Sequence, residues 1–189
     1  INPNAENSIY RLSQILFFDK DYEKAIEQLT NSNSNRCQIL YLGCLLALNR
    51  QNDFHKKYQD LFTKKICSPE LGGIIEHANF IYENNYKSNF CNETINYIMT
   101  DRVDNNLLSD DHLNQLISFS RSDLIDHKDQ PSLEGGIQTA GDLFLLKQPF
   151  IQSVKRSIEQ KIELYKEKFK YTDQGLINNW PKEVELHGW

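Results

Sequence analysis

The feature that most constrains this chain is an unbroken apolar stripe near its C-terminal end. Ile151, Val154, Ile158, Ile162, Tyr165 and Phe169 recur in steps of three and four, a spacing that falls on one face of an α-helix and on no strand. Pro149 opens the helix well, because a first-turn proline gives up only an N–H that has no intrahelical partner. Lys155, Arg156, Glu159, Lys161, Glu163, Lys166 and Lys168 occupy the opposite, solvated face. A helix over 149–170 has to bury its stripe, and the segments able to cover it lie upstream.

Those segments are helical too. Residues 5–29 read as a hairpin, with Ile9, Leu12, Ile15 and Leu16 on the inner face of its first helix and Asp19-Lys20-Asp21 as the turn. Tyr22, Ala25, Ile26 and Leu29 mark the inner face of its second helix. Residues 37–62 repeat the scheme as YLGCLLAL followed by NDFHKKYQDLF. Ser68 is a natural N-cap and Pro69 a natural first residue for a further helix reaching about Asn84. Gly72-Gly73 in its first turns is costly there, which predicts a close helix crossing or a late start. Shorter helices are expected over 93–99 and, capped by Ser109, over 110–120, with a loop over 83–92 between them and the preceding helix. The polar run 121–136, with Pro131 and Gly135-Gly136, ends the helical territory. Beyond the long helix, Glu183-Val184-Glu185-Leu186 alternates with the strand period. That strand would pair either with 137–144 or with a sheet beyond the sequence.

Composition narrows the function classes. The chain has 189 residues, 21 basic against 26 acidic, for a net charge of −5. With no Lys/Arg cluster, it offers no electrostatic footing for nucleic acid or an anionic membrane. The longest apolar run, Ile39 to Leu48, is too short to span a bilayer. No signal peptide is visible, although the chain opens on Ile1 rather than Met. The four cysteines, Cys37, Cys44, Cys67 and Cys91, form no C-x-x-C pair, so they read as reduced, mostly buried thiols of a cytoplasmic protein. On that reading the sequon Asn92-Glu93-Thr94 carries no weight.

Two resemblances add to these readings. DYEKAIEQL is similar to the second helix of a tetratricopeptide repeat, with Ala25 as the small residue where helices touch. YLGCLLAL, with Gly43, is similar to the first helix of such a repeat, although in the helix after it Lys57 stands where a small residue is expected. Such repeats stack because no single hairpin can bury its apolar face alone. Further on, SRSDLIDHKDQPSLEGGIQTAGDLF, a helix ending IELYKEKF, and WPKEVELHGW together resemble a group of 2-oxoglutarate/Fe(II)-dependent oxygenases in which tetratricopeptide-like helices precede the catalytic domain. The matching residues are Gln138, Thr139, Ala140, Gly141, Asp142, Leu143, Phe144, Gly188 and Trp189.

The resemblance implies that the iron-holding barrel, with its two-histidine-one-carboxylate ligand set, follows the Gly-Trp. The chain then reads as the front part of such a protein, with no catalytic, cofactor-binding or metal residues of its own. Iron and 2-oxoglutarate belong to the full-length family on this reading. His127-Lys128-Asp129 is formally an H-x-D, and His187 lies downstream, but a polar loop does not pre-organise a metal ligand. His55, His77 and His112 read as surface or satisfied core histidines. The QTAGD run could offer N–H groups and a hydroxyl to an anion, though a structural turn is the plainer role.

The expected fold is therefore mainly α: tetratricopeptide-like hairpins over 1–100, then a linker and lead-in segment over 101–189 with one or two short strands near the C-terminus. The expected role is the scaffold or interaction region of an oxygenase, inactive by itself. The alternative is a stand-alone helical-repeat module that binds a protein or peptide. No nucleic-acid or membrane partner is expected.

Overall fold

The computed structural model describes residues 3–103, 107–122, 127–128, 138–139 and 141–188. The chain divides into two compact units, Ile1–Asn96 with Asp173–Trp180, and Tyr97–Thr172 with Pro181–Trp189. It is mainly helical, and no described helix is long and apolar enough to cross a membrane.

The first unit opens with α1 (Pro3–Phe18) and α2 (Tyr22–Leu29), then α3 (Asn35–Ala47), α4 (Gln51–Thr63) and α5 (Pro69–Tyr82). The two hairpin turns are one turn built twice. Lys20 and Asn49 take the left-handed conformation, at φ 62° and 54°. Asp21 N–H then reaches back to the Leu16 carbonyl at 2.8 Å, and Arg50 N–H to that of Leu45 at 2.9 Å. These bonds satisfy carbonyls that a helix end otherwise leaves without partners. The next helices start from nearly identical geometry, Asp21 at φ −87°, ψ 62° and Arg50 at φ −88°, ψ 66°. Lys65 ends α4 in the same left-handed way, at φ 54°.

α3 is the hub of this unit, touching α1, α2, α4 and α5. Its sequence is apolar on every face, as a helix enclosed by neighbours requires. Cys37, Leu42, Cys44 and Leu45 are buried there with Ala25 and Leu29 of α2, Phe54 and Leu61 of α4, and Leu71, Ile75 and Ala78 of α5. Ala25, as expected of a contact point, is fully buried. Lys57 is accommodated without burying its charge. Its ammonium bonds to the Gln38 side chain, whose amide in turn bonds to the Ser32 carbonyl, and Asp60 lies 3.4 Å from the same ammonium.

The loop after α5 is held by side chains rather than by secondary structure. Asn79 brackets Tyr86, accepting its N–H at 2.6 Å and donating to its carbonyl at 3.0 Å. Tyr58 hydroxyl both donates to the Lys87 carbonyl and accepts the Lys87 N–H, each at 3.0 Å. The Asn92 amide closes a ring with the Ser88 backbone at 2.8 and 2.9 Å, so the sequon asparagine is already engaged. The short helix α8 (Gly175–Asn178) closes on this loop, with Leu176 N–H on the Phe90 carbonyl at 2.7 Å and Asn92 N–H on the Gln174 side chain at 2.8 Å.

The second unit contains α6 (Asp110–Ser120) and α7 (Pro149–Phe169), which pack on each other. Phe119 meets Phe150 edge-on at 5.5 Å between ring centres, and Ser109 caps α6 through the His112 N–H. Tyr165 hydroxyl donates to the Tyr97 carbonyl at 2.7 Å, and Lys161 pairs with Asp101 at 2.7 Å. A two-residue antiparallel ladder joins β1 (His127–Lys128) to β2 (Gln138–Thr139).

Several expectations are corrected. On α1, Leu12 and Ile15 point outward, 46% and 59% exposed, while fully buried Ser13 shares the inner face with Ile9, Tyr10, Leu16 and Phe17. A serine at that point takes up so little space that the neighbouring helix can come close. On α7, the mid-helix burial belongs to Ser153 and Ser157, not to exposed Ile158, and the Ser157 hydroxyl is satisfied by the Ser153 carbonyl at 2.8 Å. The helix expected over 93–99 is a 3₁₀ turn, Thr94–Tyr97.

Glu183 to Leu186 forms no strand. It has no ladder partner, and four alternating residues cannot hold an extended shape alone. The other half of the expected pair does not supply one either: Gln138–Thr139 pairs with 127–128, and Ile137 lies outside the described residues. Finally, α5 starts at Pro69 with no delay, and what approaches Gly72 is the Phe90 ring, 3.0 Å from where a Cβ would stand. That is a loop side chain, not a crossing helix.

Candidate functional site

A cavity of about 600 Å³ opens in the first unit among α1, α3 and the entry to α5, within the roughly 300–1,000 Å³ span of ligand sites. Two serine caps set where the helices beside it begin. Ser34 accepts the Cys37 N–H at 3.3 Å and starts α3; Ser68 accepts the Leu71 N–H at 3.1 Å and starts α5. Starting there, α3 presents Arg36, Ile39 and Leu40 to the cavity, and α5 presents Glu70 and Ile74. Tyr10 of α1 and Ile66 complete the apolar lining, and the Tyr10 hydroxyl takes a hydrogen bond from Gln14 at 3.1 Å.

The rim carries one charge of each sign. Arg36 and Glu70 are both exposed, and among the described residues no acid pairs with Arg36 and no base with Glu70. Glu70 sits in the first turn of α5, where a carboxylate complements the helix dipole; α3 has no acid in its first turn, so Arg36 stands at an uncompensated positive end. Cys67 lines the cavity too. Burial pushes its thiol above the ordinary value, which makes it a poor nucleophile. Asn179 of the α8 segment donates to its sulfur at 3.3 Å.

A different arrangement ties the QTAGDLF string to the C-terminal HGW in the second unit. Asp142 Oδ1 accepts the Phe144 N–H at 2.9 Å and the Gly188 N–H at 2.8 Å, while Oδ2 meets His187 Nδ1 at 2.9 Å. Leu143 N–H bonds to the Gly188 carbonyl at 2.6 Å. The Gly188 N–H, foremost, with help from Phe144 N–H and His187, holds the Asp142 carboxyl below the ordinary carboxylate range. Gly188 also lies flat against the Phe144 ring, which would stand 3.1 Å from an added Cβ. The described part of the string is thus a turn whose own carboxylate is the bound anion, and its Leu143 and Phe144 N–H groups are already taken.

Of the three candidate iron ligands, only His187 has a described side chain. His127 contributes its backbone to the β1–β2 ladder, Asp129 lies outside the described residues, and His187 faces Asp142, with Glu185 3.7 Å away on its other nitrogen. Among the described residues no group of three metal-ligating side chains converges. His55 and His77 are exposed and His112 half-buried.

Sequence reasoning missed Arg36, Glu70 and Tyr10. The two N-cap serines were the available signal, since they fix where α3 and α5 begin and hence which side chains edge the cleft. Compared with protein-family models, curated proteins and solved structures, the chain matches none.

Proposed function

We propose that the first unit is a tetratricopeptide-like interaction scaffold that takes a segment of a protein partner between α1, α3 and α5. The observation that carries this reading is the cavity of about 600 Å³ beside the hub helix α3. The twice-built hairpin turn supports it, because a repeated turn with the same dihedral angles is what stacked hairpins need to keep their pitch. The test is partner capture by the whole chain against its Ile74→Arg variant, which puts a charge and extra bulk into the cavity. Capture that survives this substitution with the fold intact, as judged by circular dichroism, would remove the groove from the proposal.

A second reading is supported by the Asp142 clasp. The two strings that resemble the 2-oxoglutarate/Fe(II) oxygenases, QTAGDLF and HGW, meet through Asp142, Leu143, Phe144 and Gly188. As a lead-in to a catalytic domain, this joint would set the position from which that domain departs. Coding sequence downstream of Trp189 that specifies strands with an H-x-D or H-x-E and a later histidine would support it. A stop codon there would end it.

A further inference from the structure

We infer that the α1–α3–α5 cavity is built for a peptide segment in which an acidic and a basic side chain bracket apolar residues. This deepens the scaffold reading and rests on it. The walls are Tyr10, Ile39, Leu40, Ile66 and Ile74, whose apolar surface gains from removal of water. A purely apolar ligand would match those walls and leave the rim unused. The rim is zwitterionic: Arg36 at the start of α3 and Glu70 at the start of α5 line the same cavity, and neither has a charged partner among the described residues.

An acid on the ligand answers Arg36, where the positive end of α3 adds to the attraction, and a base answers Glu70. A lipid headgroup or a free phosphate would satisfy Arg36 and be repelled by Glu70, so charge complementarity selects a mixed-charge peptide over an anion. The two charges also act against wrong partners, since a doubly acidic or doubly basic segment meets one like charge wherever it binds.

The experiment compares amidated, acetylated hexapeptides on the full chain by fluorescence anisotropy. Their two central residues are Leu or Phe, and the flanking positions carry Lys and Glu, two Glu, two Lys, or two Gln. For the unaltered chain, the Lys/Glu peptides bind tightest, by roughly two- to five-fold per matched charge over the Gln pair, the scale of an exposed ion pair. Arg36→Glu shifts the preference to the two-Lys peptides and Glu70→Lys shifts it to the two-Glu peptides. Both positions are exposed, so both variants keep the fold.

An unchanged preference across the three proteins overturns the inference. If Ile74→Arg abolishes binding in that case, the scaffold reading survives and only the charge assignment falls. Failure of every peptide to bind, while partner capture still depends on Ile74, likewise overturns the inference alone. Sedimentation with phosphatidylcholine vesicles containing phosphatidylserine, lost in Arg36→Glu, would replace the peptide by a membrane and overturn it as well.

Discussion

Replacing Gly175 by alanine separates two opposed physical effects. Gly175 is the first residue of α8 and its φ is not positive, so conformation alone makes alanine the better residue there. Propensity and reduced unfolded-state entropy predict a gain of about 0.4–1 kcal/mol. Packing predicts the reverse. The new Cβ would stand 2.0 Å from the Asn89 carbonyl oxygen and 2.6 Å from Cys67 Sγ. The first neighbour is backbone, so no side-chain rotation relieves the contact, and α8 has to withdraw.

Withdrawal strains or breaks the Leu176–Phe90, Asn92–Gln174 and Asn179–Cys67 hydrogen bonds. An overpacked site costs about 1–3 kcal/mol, and each lost bond about 0.5–1.5 kcal/mol. Fraying of so short a segment caps the sum, so the expected net loss is about 2–4 kcal/mol. Urea unfolding monitored by circular dichroism measures the loss, and alkylation of Cys67 by a maleimide, which should quicken as Asn179 and Gly175 move off the thiol, localises it. A Gly175→Ala protein as stable as the parent or more so, with unchanged Cys67 labelling, would refute the packing argument.

Tyr58→Phe should cost about 1–3 kcal/mol, because one hydroxyl serves both backbone groups of Lys87 in a mostly buried setting; hydrogen exchange at the Lys87 amide should quicken, and unaltered exchange would dismiss the bridge. Lys20→Gly should stabilise the chain by about 0.5–1 kcal/mol, since a left-handed residue with a Cβ is strained and glycine is not, as thermal melting would show. Asp142 has a folded pKa below its ordinary 3.8, so its clasp contributes stability above that value and loses it as pH falls through the lower, folded one. The Gly188 amide shift in NMR should therefore titrate with a midpoint below 3.8, and Asp142→Asn should abolish that titration.

Much of the first unit was legible because its boundaries are written in residues with local chemistry. Asp19-Lys20-Asp21 marks a turn, and Ser68-Pro69 marks a helix start, without reference to anything distant. The faces were read less well, for one recurring reason. Ser13 is fully buried on α1, and Ser153 and Ser157 are buried on α7, yet a pattern built on apolar residues assigns serine to solvent. In a helix a serine can be small enough for a close neighbour and can satisfy its hydroxyl on the preceding turn, as Ser157 does on Ser153. Once Ser13 is counted as inward, Ile9, Leu16 and Phe17 fall into place at i−4, i+3 and i+4, and Leu12 and Ile15 drop out.

The groove was illegible for a different reason. Ile39, Leu40, Ile66 and Ile74 look identical in sequence to core residues, because filling a core and walling a cavity call for the same side chains. The difference is geometric and lies in where the neighbours of α3 diverge. A helix apolar all round needs cover on every side; α1, α2, α4 and α5 supply most of it, and the cavity along its first turns is one place they leave open. There Leu40 stays half-buried while Leu42, Cys44 and Leu45 farther along are fully enclosed. On the proposed reading, the apolar side chains at this opening, beside two charges that have no charged partner among the described residues, are completed by the bound segment. Leu40 and Ile74 serve both purposes: they pack against the core of the first unit, with Ile74 Cδ1 3.5 Å from where a Cβ on Gly43 would stand, and they wall the cavity as well.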